Sequence, residues 1–327
     1  MSTKEELIKE NEYLKSLLEK NNISYDTNTI SKDDSSSPLH INSKKSPSSS
    51  EKKEDEEEPR TTHLCIDITP HNIPSTELPL KTTVDKIDKE FITEKHTLFL
   101  YSLFKGRKDV YSKRATLKNG KSAYFPVCNN FWKEGTCPKR IGQKIKCMDC
   151  SNREWTPLNQ RAIMAHLLGY KDNCSDVIGI YPLLLDNTCN FLVFDFDNHN
   201  EEPLDSEKAS YDLVTEVKAI REICKTLSIP CYVERSRSGK GCHIWFFFSE
   251  NIPSSLARSF GSSLLTKGAE YVNQKSFVSY DRMLPSQDTL PKGGLGNLIA
   301  LPLQGKALEK FNSAFRYENF VAYKNQW

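Results

Sequence analysis

Phe191-Leu192-Val193-Phe194-Asp195-Phe196-Asp197 is an apolar run that ends in two carboxylates one residue apart. Side chains alternate across a β-strand, so a strand here puts Asp195 and Asp197 on one face and Phe194 and Phe196 on the other. Carboxylates held side by side repel, and a divalent cation relieves that repulsion. Mg²⁺ suits such a pair, because it takes one or two carboxylates and completes its octahedron with waters and substrate phosphates. Two such ions can hold the attacking and leaving oxygens of an in-line phosphoryl displacement. A strand end with two solvated aspartates would read the same way in isolation, so the neighbouring sequence has to decide.

Outward from this run, the chain reads as an alternation of helices and strands. Before it lies the apolar run Ile178 to Leu185, set off by the turn-like Asp186-Asn187. After it, Asp205 or Ser206 can cap a helix over 206–227, with Leu213, Val217, Ile220, Cys224 and Leu227 on one stripe. Pro230 opens a strand over 231–235, a Gly-rich turn covers 236–241, and a second strand covers 242–248. Helices are predicted over 85–104, from Trp155 to Leu168, and over 254–270. A buried strand is predicted over 297–303. This mixture predicts an α+β domain.

The Gly-rich turn carries the second motif, Ser236-Arg237-Ser238-Gly239-Lys240-Gly241-Cys242-His243-Ile244-Trp245. Gly239 and Gly241 permit a tight turn whose backbone amides can face phosphate oxygens. Arg237 and Lys240 add positive charge. His243 lies on the emerging strand, on the face of Trp245 and Phe247, where it could donate a hydrogen bond to a triphosphate. This is not a P-loop, because no Ser or Thr follows the lysine and a strand rather than a helix comes next. A plain hairpin with a half-buried histidine is the alternative.

A third block, Ser279-Tyr280-Asp281-Arg282, offers Asp281 as a third carboxylate for the metal, with Asp288 as its competitor. Arg282 joins Arg237 and Lys240 as a group able to neutralise phosphates. Gly294 and Gly296 could let backbone approach a nucleotide, and Tyr232 or Trp245 could stack on a base, although core packing suits either better.

Cys128, Cys137, Cys147 and Cys150 lie within one Gly- and Lys-bearing stretch, 120–153. The last two form C-x₂-C, a half-site for tetrahedral Zn²⁺, and four such thiolates suit a small structural zinc module. His166, Cys174 and Cys189 are weaker alternatives as ligands, and buried free thiols are the alternative to zinc altogether. Trp132, Lys133, Lys139, Arg140, Lys144 and Lys146 interleave aromatic and basic groups, as contact with a single strand requires.

The first third reads differently. Residues 1–26 hold a short amphipathic helix. If Leu7 and Leu14 sit at d positions, Asn11 and Leu18 fall at a, a pattern that would allow a homodimer through residues 4–22. Residues 27–62 are rich in Ser, Lys, Asp and Glu, with Ser48-Ser49-Ser50 and a run from Glu54 to Glu58, and 63–84, with several prolines and a few apolar residues, is ambiguous but grouped with them. Such a composition predicts a disordered linker, with the folded body over 85–327. Residues 1–90 carry 13 Lys and Arg against 19 Asp and Glu, whereas the remainder carries 32 against 24. A basic body suits a polyanion partner such as nucleic acid. No apolar run reaches the roughly 18 residues of a membrane span, and no secretory leader is visible. The ten cysteines are therefore read as reduced, in the cytoplasm, or in the nucleus of a eukaryotic host.

Taken in order, these blocks resemble the catalytic motifs of archaeo-eukaryotic primase–polymerases: an apolar strand ending Asp-x-Asp, a hairpin with a small residue two before a histidine, then a late aspartate. The similarity is closest to the primase domain of TOTE conflict systems. Leu103-Phe-Lys-Gly-Arg-Lys-Asp-Val-Tyr111, Gly179-Ile-Tyr-Pro-Leu-Leu184, Gly241-Cys-His-Ile-Trp-Phe246 and Gly294-Leu-Gly-Asn-Leu-Ile-Ala-Leu-Pro-Leu303 support it. It covers the chain from about residue 95 onward.

The resemblance implies an RRM-like catalytic core and template-dependent synthesis of DNA or RNA strands from NTPs or dNTPs. It assigns catalytic Mg²⁺ or Mn²⁺ to Asp195, Asp197 and Asp281, and nucleotide contacts to Arg237, Ser238, Lys240, Gly241 and His243. It also implies a similar cysteine set for zinc, and helicase or nuclease domains or partners alongside. One departure stands out: many relatives have Ser where this chain has Gly241. Two rival readings are a zinc-containing nucleic-acid-binding module without catalysis and a two-metal nuclease.

Overall fold

In chain order the elements are α1 (Glu94–Leu103), β1 (Ser112–Thr116), β2 (Ser122–Pro126), α2 (Gln160–Leu168), β3 (Ile178–Ile180), β4 (Thr188–Asp197), α3 (Tyr211–Thr226), β5 (Tyr232–Arg235), β6 (Gly241–Pro253), α4 (Ser254–Tyr271), β7 (Tyr280–Leu284), β8 (Ile299–Ala300), α5 (Gly305–Leu308) and β9 (Ala314–Arg316). The computed structural model describes residue 87 and residues 91–117, 119–173, 175–197 and 211–327. The N-terminal helix and its dimer seam, the whole linker 27–84, Cys174, and the Asp205 or Ser206 cap fall outside the described residues. All described residues belong to the unit Cys65–Trp327.

The strands form two sheets, ordered β2-β1-β3-β8 and β7-β4-β6-β5-β9. Every paired strand runs antiparallel to its neighbour. The domain is thus mixed α/β with antiparallel sheets. Within the larger sheet the chain runs β4-α3-β5-β6-α4-β7, so β4 and β6 are central and each helix crosses one face.

That face is built by the period of β4. Leu192, Phe194 and Phe196 point toward α3 and α4, where they pack with Leu213, Val217, Ile220 and Leu264. Each such fully buried side chain contributes roughly 1.5–3 kcal/mol relative to exposure. Phe191 and Val193 point the other way, into a second core with Leu100, Phe104, Ile163, Ile178 and Trp245. Both faces are covered, which is why the run reads as nearly continuous apolar sequence rather than as alternation. Gly261 lets α4 lie close: a Cβ there would come within 2.8 Å of Leu192 Cδ2 and 3.0 Å of Phe194 Cε1.

Several predicted boundaries move inward. The helix predicted over 85–104 begins only at Glu94, because Thr93 caps it in a reciprocal box with His96. Phe91, predicted to lie on that helix, precedes it and is exposed. The helix predicted from Trp155 begins at Gln160, where the Asn159 side chain accepts from the Ala162 amide. The apolar run to Leu185 is strand only over Ile178–Ile180, and it pairs with β1 and β8 rather than across the Asp186-Asn187 turn. The strand predicted over 297–303 shortens to Ile299–Ala300. Among the described residues no helix is long and apolar enough to cross a membrane.

Candidate active site

The alternation that sends Phe191 and Val193 into the second core carries on along β4 to Asp195 and Asp197. Pairing with β6 sets Asp195 opposite His243 and Asp197 opposite Gly241. His243 Nε2 lies 3.6 Å from Asp195 Oδ1. On the other edge of β4, Asp195 pairs with Arg282 and Phe196 with Tyr280, leaving Asp281 as an extra residue on β7. Such a bulge bends the strand and re-aims its side chains. Here Arg282 Nε reaches both Asp281 Oδ2, at 3.0 Å, and Asp195 Oδ2, at 3.4 Å. A single cationic atom thus bridges the two carboxylates. Asp288 is elsewhere, paired with Arg258 of α4.

His243 is held from behind. Glu234, opposite it on β5, is 1% exposed. Its Oε2 accepts from His243 Nδ1 and from Trp245 Nε1, each at 2.9 Å, and its Oε1 accepts from the Ser313 hydroxyl at 3.4 Å. Burial opposes protonation of His243, but the charge and hydrogen bond of Glu234, then the charges of Asp195 and Asp197, outweigh it and hold the imidazole above its usual value. With Nδ1 committed to Glu234, Nε2 is the nitrogen turned toward the carboxylates.

The turn before β6 is self-contained. Gly239 N donates to Ser236 O at 2.9 Å, Lys240 N to the Ser238 hydroxyl at 3.2 Å, and Gly241 N to the Ser236 hydroxyl at 3.1 Å. These amides, expected to face phosphate oxygens, bond within the turn, and the exposed Lys240 side chain is left projecting from it. At Gly241 the two strands leave no room for a side chain. A Cβ on it would lie 2.3 Å from Phe196 O and 3.3 Å from Asp197 Oδ1. Trp245 is fully buried and belongs to the core rather than to a base-stacking site, whereas Tyr232 stays half exposed on β5.

Asp195 and Arg282 open into a cleft of about 720 Å³ that also touches Lys139, Lys146, Gly296 and Asn297. The carboxylates fit a hard divalent cation by donor type, and Arg282 marks a point that two of them already share. The four predicted cysteines are partly buried and unpaired, and all line one neighbouring cavity of about 510 Å³. Thiolates of this kind and number fit zinc. Among the described residues, however, no group of three or more His, Cys, Asp or Glu side chains converges tightly enough to hold a metal ion. Of the lesser alternatives, Cys174 lies outside the described residues and the other two are placed elsewhere. His166 is fully buried, its Nε2 donating to Pro302 O at 2.9 Å and its Nδ1 accepting from the Ile178 amide at 3.2 Å. Cys189 lies in the core, and burial pushes its thiol up to about 12.

Three supporting residues escaped the sequence reading. Glu234 is a lone carboxylate in a short strand, beside the buried Val233. Glu216 falls on the apolar stripe of α3 and accepts from the Val278 and Ser279 amides at 2.6 and 2.9 Å, fixing the chain just before Asp281. Arg107 is buried, forks onto Asp109, and donates to Gly294 O at 2.9 Å. It ties the 103–111 stretch to the glycine block. For Glu234 and Glu216 the signal was a charge where the pattern called for an apolar residue, whereas Arg107 sits in a polar loop that gives none.

Fold and site together define a mixed α/β domain with Asp195 and Asp197 on a central strand and Asp281 on the neighbouring edge strand, beside a cleft to which Lys139, Lys146 and Arg282 contribute. The chain belongs to the TOTE conflict system archaeo-eukaryotic primase domain family, whose model matches residues 94–327. Among solved structures it is similar to the polymerase domain of Ligase D from Mycobacterium tuberculosis, described in complex with DNA. That likeness has 11% identity and a TM-score of 0.32, covering 55% of this chain and 64% of the other. No curated protein matches the sequence.

Proposed function

We propose that residues 85–327 form a primase–polymerase that synthesises or extends DNA or RNA strands from NTPs or dNTPs on a template. The observation that carries this reading is Asp195, placed between His243 and Arg282 at the end of the cleft. Family membership supports a nucleotidyltransferase. The β4-α3-β5-β6-α4-β7 order supports an RRM-like core.

Asp195, Asp197 and Asp281 would hold Mg²⁺ or Mn²⁺, which when bound supplies charge to an α-phosphate and lowers the pKa of an attacking hydroxyl. His243, aimed by Glu234, would donate from Nε2 to the incoming triphosphate. Arg282 would be drawn off the carboxylates toward phosphate oxygens as the acidic centre fills. Arg237, Ser238 and Lys240 would line the triphosphate's outer side, and Gly241 would set the depth to which it enters. Catalysis would consist of positioning and electrostatic stabilisation of in-line attack by a primer 3′-hydroxyl, with pyrophosphate leaving. Cys128, Cys137, Cys147 and Cys150 would hold a structural zinc that orders the 120–153 module. Residues 1–26 and 27–84 would serve as a dimerising helix and a linker.

The test is incubation with single-stranded template, with and without primer, Mg²⁺ or Mn²⁺, and labelled NTPs or dNTPs, beside Asp195→Ala. Extension that disappears in the variant is expected. Template shortening would establish the nuclease instead, and template binding without product would establish the non-catalytic module.

A further inference from the structure

The cysteine-bearing module presents a cluster that its own fold does not use. Trp132 is 76% exposed and Phe131 39%, with their rings edge-to-face at 4.8 Å. The Arg140 guanidinium lies 4.7 Å from the Trp132 ring centre and 5.8 Å from that of Phe131. Both aromatic residues are thus polarised by one cation and remain open to solvent. The loop beneath is tied down: Asn130 donates to Asn152 O at 2.8 Å, and Asn152 donates to Thr136 O at 2.9 Å. Residues 131–153 hold six Lys or Arg against two Asp or Glu. Lys139 and Lys146 both line the cleft that contains Asp195, and Lys139 lines the cysteine cavity as well. The cluster is therefore joined by positive charge to the acidic centre.

We infer that this surface is the docking site for the unpaired template strand, with a base stacked on Trp132 and the adjoining backbone held by Lys139 and Lys146 on its way to Asp195. The inference rests on the polymerase reading for its destination, but strand binding itself needs no catalysis. A rigid, exposed aromatic beside a guanidinium offers a stacking face to any base, and only an unpaired base has its face free. A duplex would present phosphates alone and would not engage Trp132. The net charge of the surface matches a polyanion and opposes an equally basic protein face.

The measurement is fluorescence anisotropy of the full chain with a labelled single strand and with the same sequence as duplex, without nucleotide or added divalent metal. Trp132→Ala should lose roughly tenfold in single-strand affinity with little change on duplex, and Trp132→Phe should retain most of it. Lys139→Ala/Lys146→Ala should weaken binding and flatten the dependence of log affinity on log salt by roughly 1.4, about 0.7 for each phosphate no longer neutralised. Single-strand affinity unchanged in Trp132→Ala, or a salt slope unchanged in the lysine variant, would overturn the assignment and leave the cluster to a protein partner. Absence of extension by the wild-type protein with the Trp132 effect intact sinks only the catalytic reading, and extension with no Trp132 effect sinks only this one.

Discussion

Adding one methyl group to Gly241 tests how closely β4 and β6 approach at the acidic centre. The backbone of Gly241 lies outside the left-handed region, so Gly241→Ala strains no dihedral and its cost is purely a matter of space. The new Cβ would sit 2.3 Å from Phe196 O, 3.2 Å from Asp197 Cα and 3.3 Å from Asp197 Oδ1. The first contact is roughly 1 Å short of van der Waals separation, and it is made with backbone of a central strand, which cannot rotate away. The ladder must open at the Asp197–Gly241 pair, two residues from Asp195 and His243. Overpacking of this kind costs about 1–3 kcal/mol. At roughly 2–4 °C per kcal/mol for a domain of this size, the melting temperature should fall by about 2–12 °C. Gly241→Ser should cost at least as much, although the resemblance puts serine at this position in many relatives. Thermal unfolding followed by circular dichroism reads the shift. A melting temperature within about 1 °C of the wild type for both variants would mean that the strands do not approach as described, and that Gly241 does not set the spacing of the site.

Glu234→Gln removes a buried charge that accepts three hydrogen bonds. It should destabilise the domain by about 1–3 kcal/mol in urea titrations and, on the polymerase reading, raise KM for the incoming nucleotide more than it lowers kcat; an unchanged KM would show that His243 needs no orienting. His166 is buried and neutral, with burial lowering its pKa to about 4. The unfolded chain, near 6.5, therefore takes up the proton first, and the contribution to stability is complete above about pH 6.5 and is lost as pH falls toward 4, roughly 3 kcal/mol in all. His166→Gln should flatten the stability–pH curve in that window, and equal slopes in the two proteins would refute the reading. Protein purified without chelator should carry one zinc per chain, released by a thiol-reactive mercurial and read with a chromogenic chelator; a metal-free, fully folded protein would show that the four cysteines are free thiols.

Much of the larger sheet was legible because its signals are local. The β4 run, the stripe of α3 and the hairpin around 236–241 each follow from the period of a single element, and the Asp195–His243 pair follows once β4 and β6 are adjacent. The helix starts were misplaced because capping chemistry, at Thr93 and Asn159, overrides apolar periodicity by several residues. In the smaller sheet β3 and β8 were read with bounds too long, while β1, β2 and the pairing were not legible. Its strands are two to five residues long, and short strands carry too few positions for a period to show. Ile178–Ile180 precedes β4 closely in sequence yet pairs in the other sheet, a choice fixed by tertiary packing and not by anything in its own flanking residues.

The choice between Asp281 and Asp288 shows where a linear reading stops. The flanks favour Asp281, which follows the aromatic Tyr280 where Asp288 follows Gln287, but they do not place either residue. What separates them is a one-residue slip in the pairing of β7 with β4, which makes Asp281 the extra residue and leaves Asp288 on Arg258. That slip is in turn anchored from outside the sheet. The Asp197 amide donates to Ser279 O at 2.8 Å, while Glu216 of α3 takes the Ser279 amide. Ser279 is thereby fixed on both sides, and Tyr280 follows it into register with Phe196. The chain then has one residue too many before Arg282 meets Asp195. A buried carboxylate on the opposite face of the sheet therefore helps decide which aspartate joins the acidic centre. It does so through backbone hydrogen bonds, which no side-chain pattern in the sequence records.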